Sequence, residues 1–417
     1  MEAARRFARA APFPGRPLET RGFASPYLDR SRPAEDTVAA MRPRFSEFGV
    51  TRLARVTGLD HIGIPVWSAV RPNARTLAVA QGKGLTDAAA QASAAMEAVE
   101  VAVAERLDLP RRTASAQGLA AEGRLADPLP SLLRAGAVAP EPGEVIDWFE
   151  AFDLLRDAPV WAPLEAVELG SARAPARYWQ STDGLASGNI LWEAVLHGLC
   201  ERIERDALAL WVLRGDAEIA AHCRDPAELG DAALDGLIAR IVGAGMQLRL
   251  FDVTSDIGVP VYLAVLSPPP TGQEALWRHF DLSAGSGCHP DPARAAIRAV
   301  TEAAQTRLTT ISAIRDDFDP ATYQTRIDAS LLPYVRLAPS RSAPRPAAAP
   351  VERADSVEWL VARLAAAGAR SVIVAPLEAA DPDYAVAKVI VPDLENPPGD
   401  RRFRYGGRAV RAMMARR

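Results

Sequence analysis

Residues 181–213 read STDGLASGNILWEAVLHGLCERIERDALALWVL. A glycine-containing turn, Gly184 to Asn189, precedes an apolar-periodic run that predicts a strong helix from about Leu191 to Leu213. On that helix His197, Glu201 and Glu204 stand at i, i+4 and i+7, so their side chains share one face. The arrangement occurs twice more. Gln81-Gly82-Lys83-Gly84 leads into an Ala-rich helix, about Thr86 to Leu107, carrying Ser93, Glu97 and Glu100 at the same spacing. Ala284-Gly285-Ser286-Gly287 leads through His289-Pro290 into a third helix, about Pro292 to Ser312, with Arg298, Glu302 and Gln305. Proline is tolerated at such a helix start. Glu97, Glu201 and Glu302 lie about a hundred residues apart, as distant structural copies do.

Two glutamates at i, i+3 on one helix, facing two on another, make a pocket of carboxylate oxygens. Left bare, such a pocket repels itself and its pKa values rise. Mg2+ relieves that repulsion, because it takes hard oxygen ligands and shares its shell with water and substrate phosphates. Glu97, Glu100, Glu201 and Glu204 are therefore candidates for a Mg2+–polyphosphate site. Arg205, Arg298 and Arg307 are candidates to neutralise phosphate in the bidentate manner of guanidinium. The glycine turns offer backbone N–H groups to anions. Glutamate pairs at this spacing also mark ordinary solvated faces. Glu97 and Glu100, however, lie among Ala, Met and Val in DAAAQASAAMEAVEVAVAERL, which argues for partial burial and a partner.

Outside these three segments, residues 1–44 are rich in Arg, Pro and Ala without a period and read as an irregular N-terminal extension. TLAVA, Thr76 to Ala80, reads as a short buried strand, and Tyr178 to Thr182 as another. Leu248 to Val253 and Val259 to Leu266 are further strand candidates. Residues 337–353 (LAPSRSAPRPAAAPVER) read as a Pro/Ala-rich loop. A helix, about Val357 to Ala367, and strands at Ser371 to Pro376 and Ala385 to Val391 close the chain. The interleaving gives an α/β or α+β class, and the length allows two or three ordinary domains or one large unit.

The formal net charge of -4 gives no electrostatic reason to expect nucleic acid as a partner. No window of eighteen apolar residues suggests a membrane span. The basic start lacks the apolar core of a secretory signal. Cys200, Cys223 and Cys288 are widely spaced and suit a reducing cytoplasm, not a disulfide framework. The pairs His222-Cys223 and Cys288-His289 lack the spacing of a zinc site. Gly82-Lys83-Gly84-Leu85-Thr86 lacks the spacing of a P-loop, and no nucleophile elbow or Cys/His/Asn pattern suggests a hydrolytic triad. Of 48 basic residues, only Lys83 and Lys388 are lysines. A lysine retained against that bias suits a position needing a compact charge, and Lys83 sits between two glycines.

QGKGLTDAAAQASAAMEAVE (81–100) resembles the first signature of the YcaO family, a GKG turn followed by SxxxExxE. STDGLASGNILWEAVLHGLCERIERDA (181–207) resembles the second, and GSGCHPDPARAAIRAVTEAAQTRLTTISAIRDD (285–317) the third. TRLARVTGLDHIGIPVWSAVRPN and VAKVIVPDLE resemble flanking family segments. The resemblance implies that residues 45–417 form one α/β unit of mixed sheets and long helices, holding ATP with Mg2+ among the three helices. It implies that Glu97, Glu100, Glu201 and Glu204 bind Mg2+. Lys83, Ser93, Asn189, Arg205, Arg298, Glu302, Gln305 and Arg307 would line the nucleotide site. Glu201, Glu204, Arg205 and His197 are the candidate catalytic groups. Val101 stands where many members have Arg, and Asp183 where many have Asn, so no ligand role is carried over to either.

Similar proteins activate a peptide-backbone amide: a nucleophile adds to the carbonyl carbon, ATP phosphorylates the resulting oxygen, and phosphate leaves. A sulfide nucleophile gives a thioamide, and a Cys, Ser or Thr side chain gives an azoline. The ending RYGGRAVRAMMARR lacks the Pro-rich tail common in azoline-forming members. Together with AMEAVEVAVAE it resembles the subgroup that works beside TfuA-type proteins. The expectation is thioamide formation in a peptide or protein, with a TfuA-like partner, a sulfur donor and a homodimer as candidate assembly. Azoline formation is the alternative. A non-catalytic ATP-binding scaffold is the alternative from another class, and a Mg2+-dependent phosphohydrolase a second.

Overall fold

Three strand–helix pairs, each closing with almost no loop, organise the chain. The computed structural model describes residues 29–170, 176–315, 319–328, 331–340, 356–396 and 405–415. Helix α1 (Ala34–Met41) is followed by β1 (Arg52–Arg55), β2 (Val66–Val70) and β3 (Val79–Lys83), and then by α2 (Asp87–Glu105). Next come β4 (Arg111–Ser115), β5 (Val145–Asp153), β6 (Ala158–Pro163), β7 (Leu185–Gly188) and α3 (Leu191–Trp211). β8 (Cys223–Arg224), α4 (Ala232–Gly243), β9 (Gln247–Asp252), β10 (Val261–Ser267), β11 (Ser283–Cys288) and α5 (Pro292–Ser312) follow. α6 (Ser356–Ala366), β12 (Ile373–Glu378), β13 (Ala385–Ile390) and α7 (Gly407–Met414) complete it, with several shorter helical turns between.

The strands form three antiparallel sheets: β1-β2-β3, β11-β10-β9-β8, and β4-β5-β12-β13-β7 with β6 on β5. The pairing makes the fold α+β. One core joins α3 to β9, β10, β12, β13 and α6, and a second joins α1 and α2 to β5, β12 and β13. A third lies between α4, α5 and the β9–β10 pair. Thr86 caps α2 by accepting from the Ala89 N–H, and Asp291 caps α5 by accepting from Ala293 and Arg294. Such caps satisfy donors that a helix start leaves open.

The glycine segments read as turns are largely strands. Gly82 and Lys83 end β3, Leu185–Gly188 is β7, and Ser283–Cys288 is β11. Their small residues serve close approach. A Cβ on Gly82 would overlap the α2 backbone at Ala90 and Ala94, and one on Gly285 the α5 backbone at Ala299 and Ala303. The strands therefore lie directly on the helices that follow them. Tyr178 to Thr182 is not a strand: Tyr178 makes a single bridge to Leu133 and donates its hydroxyl to the Pro128 carbonyl.

The extension is not irregular throughout. Residues 34–41 form α1, which starts after Pro33, carries Glu35 and Asp36 in its first turn, and buries Val38 and Met41. Acidic residues there favour the positive helix start. The rest of that expectation, residues 1–28, lies outside the described residues, as does 341–353 of the expected loop; Ser340 pairs with Arg224. No helix among the described residues is long and apolar enough to cross a membrane. All three cysteines are buried and free.

Gly82→Ala should destabilise the fold by about 3 kcal/mol or more, since backbone on both sides has to move. Gly236, inside α4 with open space at its Cβ, should give the opposite result. Gly236→Ala should stabilise by about 0.5–1 kcal/mol. Urea unfolding of both variants checks the pair.

Candidate active site

Helices α2, α3 and α5 turn their stripes toward one another, and five carboxylates interact there. Burial pushes Glu97 up to about 7; Glu201 and Glu302 add to that push, while Lys83 and Arg315 oppose it. Burial pushes Glu100 up to about 8, helped by Glu97 and Glu201. It does so although Glu100 accepts from the Ser187 N–H at 2.9 Å and the Ser187 hydroxyl at 2.6 Å. Glu201 is raised by burial, against the pull of Arg205, with Asp183 and Glu204 reinforcing the rise. Its oxygens accept from the Gly184 N–H at 3.0 Å and from Arg205 at 3.3 Å. Gly184 has a φ of 77°, and a Cβ there would strike the Val389 carbonyl, so that N–H is aimed by a position only glycine fills well. Glu204 is raised by burial and by Glu302, and accepts from the Ser286 hydroxyl at 2.7 Å. Burial also works to raise Glu302, but Lys83, 2.5 Å away, and Arg205 outweigh it and hold it low.

Arg205 ties the acids together. It reaches Glu201, and its Nε lies 3.6 Å from Asp183. Burial works against its charge, but the surrounding carboxylates raise its pKa further. His197, one turn before Glu201, is driven well below its usual pKa by burial and by Arg298, Arg30 and Lys83. It is therefore neutral, and its Nδ1 is buried without a hydrogen-bond partner. Arg298 is half-buried one turn before Glu302. Ser93 is half-buried one turn before Glu97. Gln305 donates to the Gln81 carbonyl at 3.2 Å, while its Oε1 is buried and unpartnered.

Two of the named residues face elsewhere. Asn189 is buried at the start of α3; it accepts from Thr37 at 2.8 Å and donates to Glu193 at 3.1 Å. Arg307 lies 3.4 Å from Asp60. It follows Glu302 by five positions, about 140° around the helix.

Sequence reasoning missed a strap over the helix starts. Asp29 accepts from Arg294 at 2.7 Å and lies 2.7 Å from the His289 Nε2. Arg30 donates to the Ser187 carbonyl at 2.9 Å and reaches Glu193 at 3.3 Å, and the Ser31 N–H donates to Glu193 at 2.6 Å. Glu193 extends the α3 stripe by one turn, a signal that was there to read; Asp29 and Arg30 had none.

Among the described residues, no three His, Cys, Asp or Glu side chains converge on one metal position. The carboxylates are held instead by Ser187, Ser286, Gly184, Arg205 and Lys83. Mg2+ needs only one or two carboxylates when phosphates and water supply the rest. A set of desolvated acids that repel one another, beside unpartnered atoms on His197 and Gln305, fits a cation bound together with a polar ligand.

Residues 81–395 match the family described as YcaO cyclodehydratase, ATP- and Mg2+-binding. The chain belongs to the YcaO family. A Rhizobium leguminosarum bv. trifolii protein, described as uncharacterised and encoded in the tfuA 3' region, is 41% identical, covering 93% of each chain. An uncharacterised Methanothermobacter thermautotrophicus protein is 38% identical over 71% of this chain and 74% of its own. The YcaO structure from Methanopyrus kandleri, bound with AMPPCP and Mg2+, superposes with a TM-score of 0.62 at 24% identity, covering 89% of this chain and 97% of that one. A heterocyclase in complex with substrate and cofactor gives a TM-score of 0.71 at 23% identity. That match covers 94% of this chain, which spans 56% of the heterocyclase. Both share the fold.

The raised carboxylates set a pH dependence. Native Glu97 and Glu100 bind protons between the ordinary 4.5 and about 7 and 8, a range in which the unfolded chain has released them. Their contribution to stability is present below pH 4.5 and is lost as pH rises through 7 to 8. The Tm of the metal-free protein should fall across that window, and the Glu97→Gln/Glu100→Gln double variant should remove much of the fall. Calorimetry at several pH values measures both; a wild-type Tm flat in pH would mean that these acids are already ionised.

Proposed function

We propose that this YcaO protein uses ATP with Mg2+ to activate a peptide-backbone amide, and that sulfide replaces the amide oxygen to give a thioamide, ADP and phosphate. The carrying observation is the cluster of Glu97, Glu100, Glu201, Glu204 and Glu302 around Lys83 and Arg205. When bound, Mg2+ would supply charge neutralisation for a triphosphate; Glu97, Glu100, Glu201 and Glu204 are the residues to hold it. The family description as ATP- and Mg2+-binding supports that assignment.

The chain's own groups have distinct tasks. Arg205, Arg298 and Lys83 offset negative charge on phosphoryl oxygens, the electrostatic stabilisation that phosphoryl transfer most needs. Arg205 is fixed for this by Glu201 and Asp183 before any ligand arrives. His197, neutral and with a free Nδ1, accepts a hydrogen bond from the attacking nucleophile and orients it without taking the proton. Glu302, Gln305 and Ser93 line the nucleotide side, and Asn189 supports that side indirectly, through its contacts with Glu193 and Thr37. Arg307 is engaged by Asp60 and takes no direct part. Sulfide is favoured over a side-chain nucleophile because the 41% identical relative is encoded beside tfuA. A TfuA-like partner and a sulfur donor belong to the same reading.

Azoline formation is the second reading, favoured by the fold shared with the heterocyclase. Mass spectrometry of peptides and proteins from cells making the wild-type chain, compared with cells making Glu201→Gln, separates the two. Exchange of one oxygen for one sulfur in wild-type cells alone is the expected result; loss of one water indicates the azoline. Glu201→Gln removes a charge and little volume, so it should fold normally and lose activity by about 100-fold or more. Wild-type activity in that variant would remove Glu201 from the mechanism.

A further inference from the structure

A cavity of about 1250 Å3 lies beside the carboxylate cluster and is not part of it. None of Glu97, Glu100, Glu201, Glu204 or Glu302 lines it, but Asp183 does. Asp183 is also the residue 3.6 Å from Arg205, so one turn forms a wall of both spaces. The cavity exceeds the ~300–1,000 Å3 usual for a small-molecule site. Its other walls are the loop around Arg134, the chain following α6, the end of β13, and α7.

The lining has a chemical bias. Among the described residues of the lining, six arginines and Lys388 stand against three acids, Asp183, Asp393 and Glu395. Arg370 pairs with Asp393, Arg177 with Glu144, and Arg408 with Asp206 and Asp256, which reduces the positive excess but leaves Arg134 and Arg411 exposed at the edge. Val138 and Tyr405, 73% and 46% exposed, add apolar surface there. A cationic concavity with apolar edges suits an extended chain with carboxylate and apolar side chains. The nucleotide has its own complement of glycine-rich strands and acids across the wall.

Lys388 gives the shared wall its rigidity. It is buried on β13, paired in register with Leu185, and its ammonium donates to the Ser181 carbonyl. α7 closes the opposite side because Glu395 accepts the N–H groups of Gly406, Arg408 and Ala409, and Arg408 forks onto Asp206 of α3.

We propose that this cavity seats the acceptor peptide, an extended segment bearing acidic side chains, and presents its amide at Asp183 beside Arg205. The assignment rests on the amide-activating reading above, but the binding can be tested without any chemistry. The full chain, free of nucleotide, is used to select from an mRNA-displayed library of random peptides of roughly twelve residues, long enough at ~3.3 Å per residue to cross the cavity. Enriched peptides are synthesised and titrated by fluorescence anisotropy against wild type, Ala135→Trp and Arg411→Glu. Both variants alter exposed lining positions, and their Tm should stay within about 2 °C of wild type.

The expected result is enrichment in Asp and Glu, binding weakened about tenfold or more in both variants, and no displacement by AMPPNP with Mg2+. Enrichment of no peptide, equal affinity for all three proteins, or displacement by AMPPNP with Mg2+ would each overturn the proposal. A failure of the enzymatic reading shows separately, as a wild-type protein that binds no AMPPNP with Mg2+, and leaves the peptide titration intact.

Discussion

Five carboxylates gathered from three helices into one desolvated space are the constraint that shapes this protein. Acids so placed repel one another, and each buried charge needs a partner. The chain provides partners from outside the helices that carry the acids. Ser187 and Gly184 come from the segment of β7, Ser286 from β11, and Lys83 from β3. Each strand lies directly against a long helix, so the glycines that permit this packing are also what bring the donors within reach. Side chains of ordinary size on β3 and β11 would push the strands away from α2 and α5 and leave the acids without those bonds.

That dependence explains which parts were legible in the sequence. Helices α2, α3 and α5 were readable because their apolar period is long and glycine segments, with Pro292 in the third, mark their starts; the third was placed at Pro292 to Ser312 and is found there. β7 and β11 were read as turns, and the strand before α2 was placed three residues early, at Thr76 to Ala80 instead of Val79–Lys83, because Gly82, Gly188, Gly285 and Gly287 look like chain reversals when no helix is seen lying on them. Tyr178 to Thr182 had a strand-like start, yet Tyr178 is fixed by a hydroxyl bond to Pro128 and one bridge. Its neighbours lead instead into the Asp183 turn.

The site was legible to the extent that one helix face carries it. The i, i+4, i+7 spacing placed Glu97, Glu100, Glu201, Glu204 and Glu302 in common, and the same rule applied one turn earlier would have included Glu193. Contacts between distant segments left no such pattern. Asp29 and Arg30 come from a stretch of mixed Arg, Pro and Ala without periodicity, and only the fold brings them to His289, Arg294 and Glu193. Arg307 shows the converse limit: a basic residue near a stripe is counted with it until the helical angle turns it toward Asp60.

Helix α3 bears two sets of charges with different tasks. Glu201, Glu204 and Arg205 face the acids of α2 and α5. Arg202 donates to the Glu395 carbonyl, and Asp206 holds Arg408 and the Glu395 N–H. The residues of the two sets alternate along a single turn and a half, so neither can shift along the chain without moving the other. A rotation of α3 that relaxed the carboxylates would strain the buried Asp206–Arg408 pair, whose loss leaves an unmatched charge in a dry place. A packed helix of this kind has few intermediate positions, and α3 therefore holds the two spaces on either side of the Asp183 turn in fixed relation.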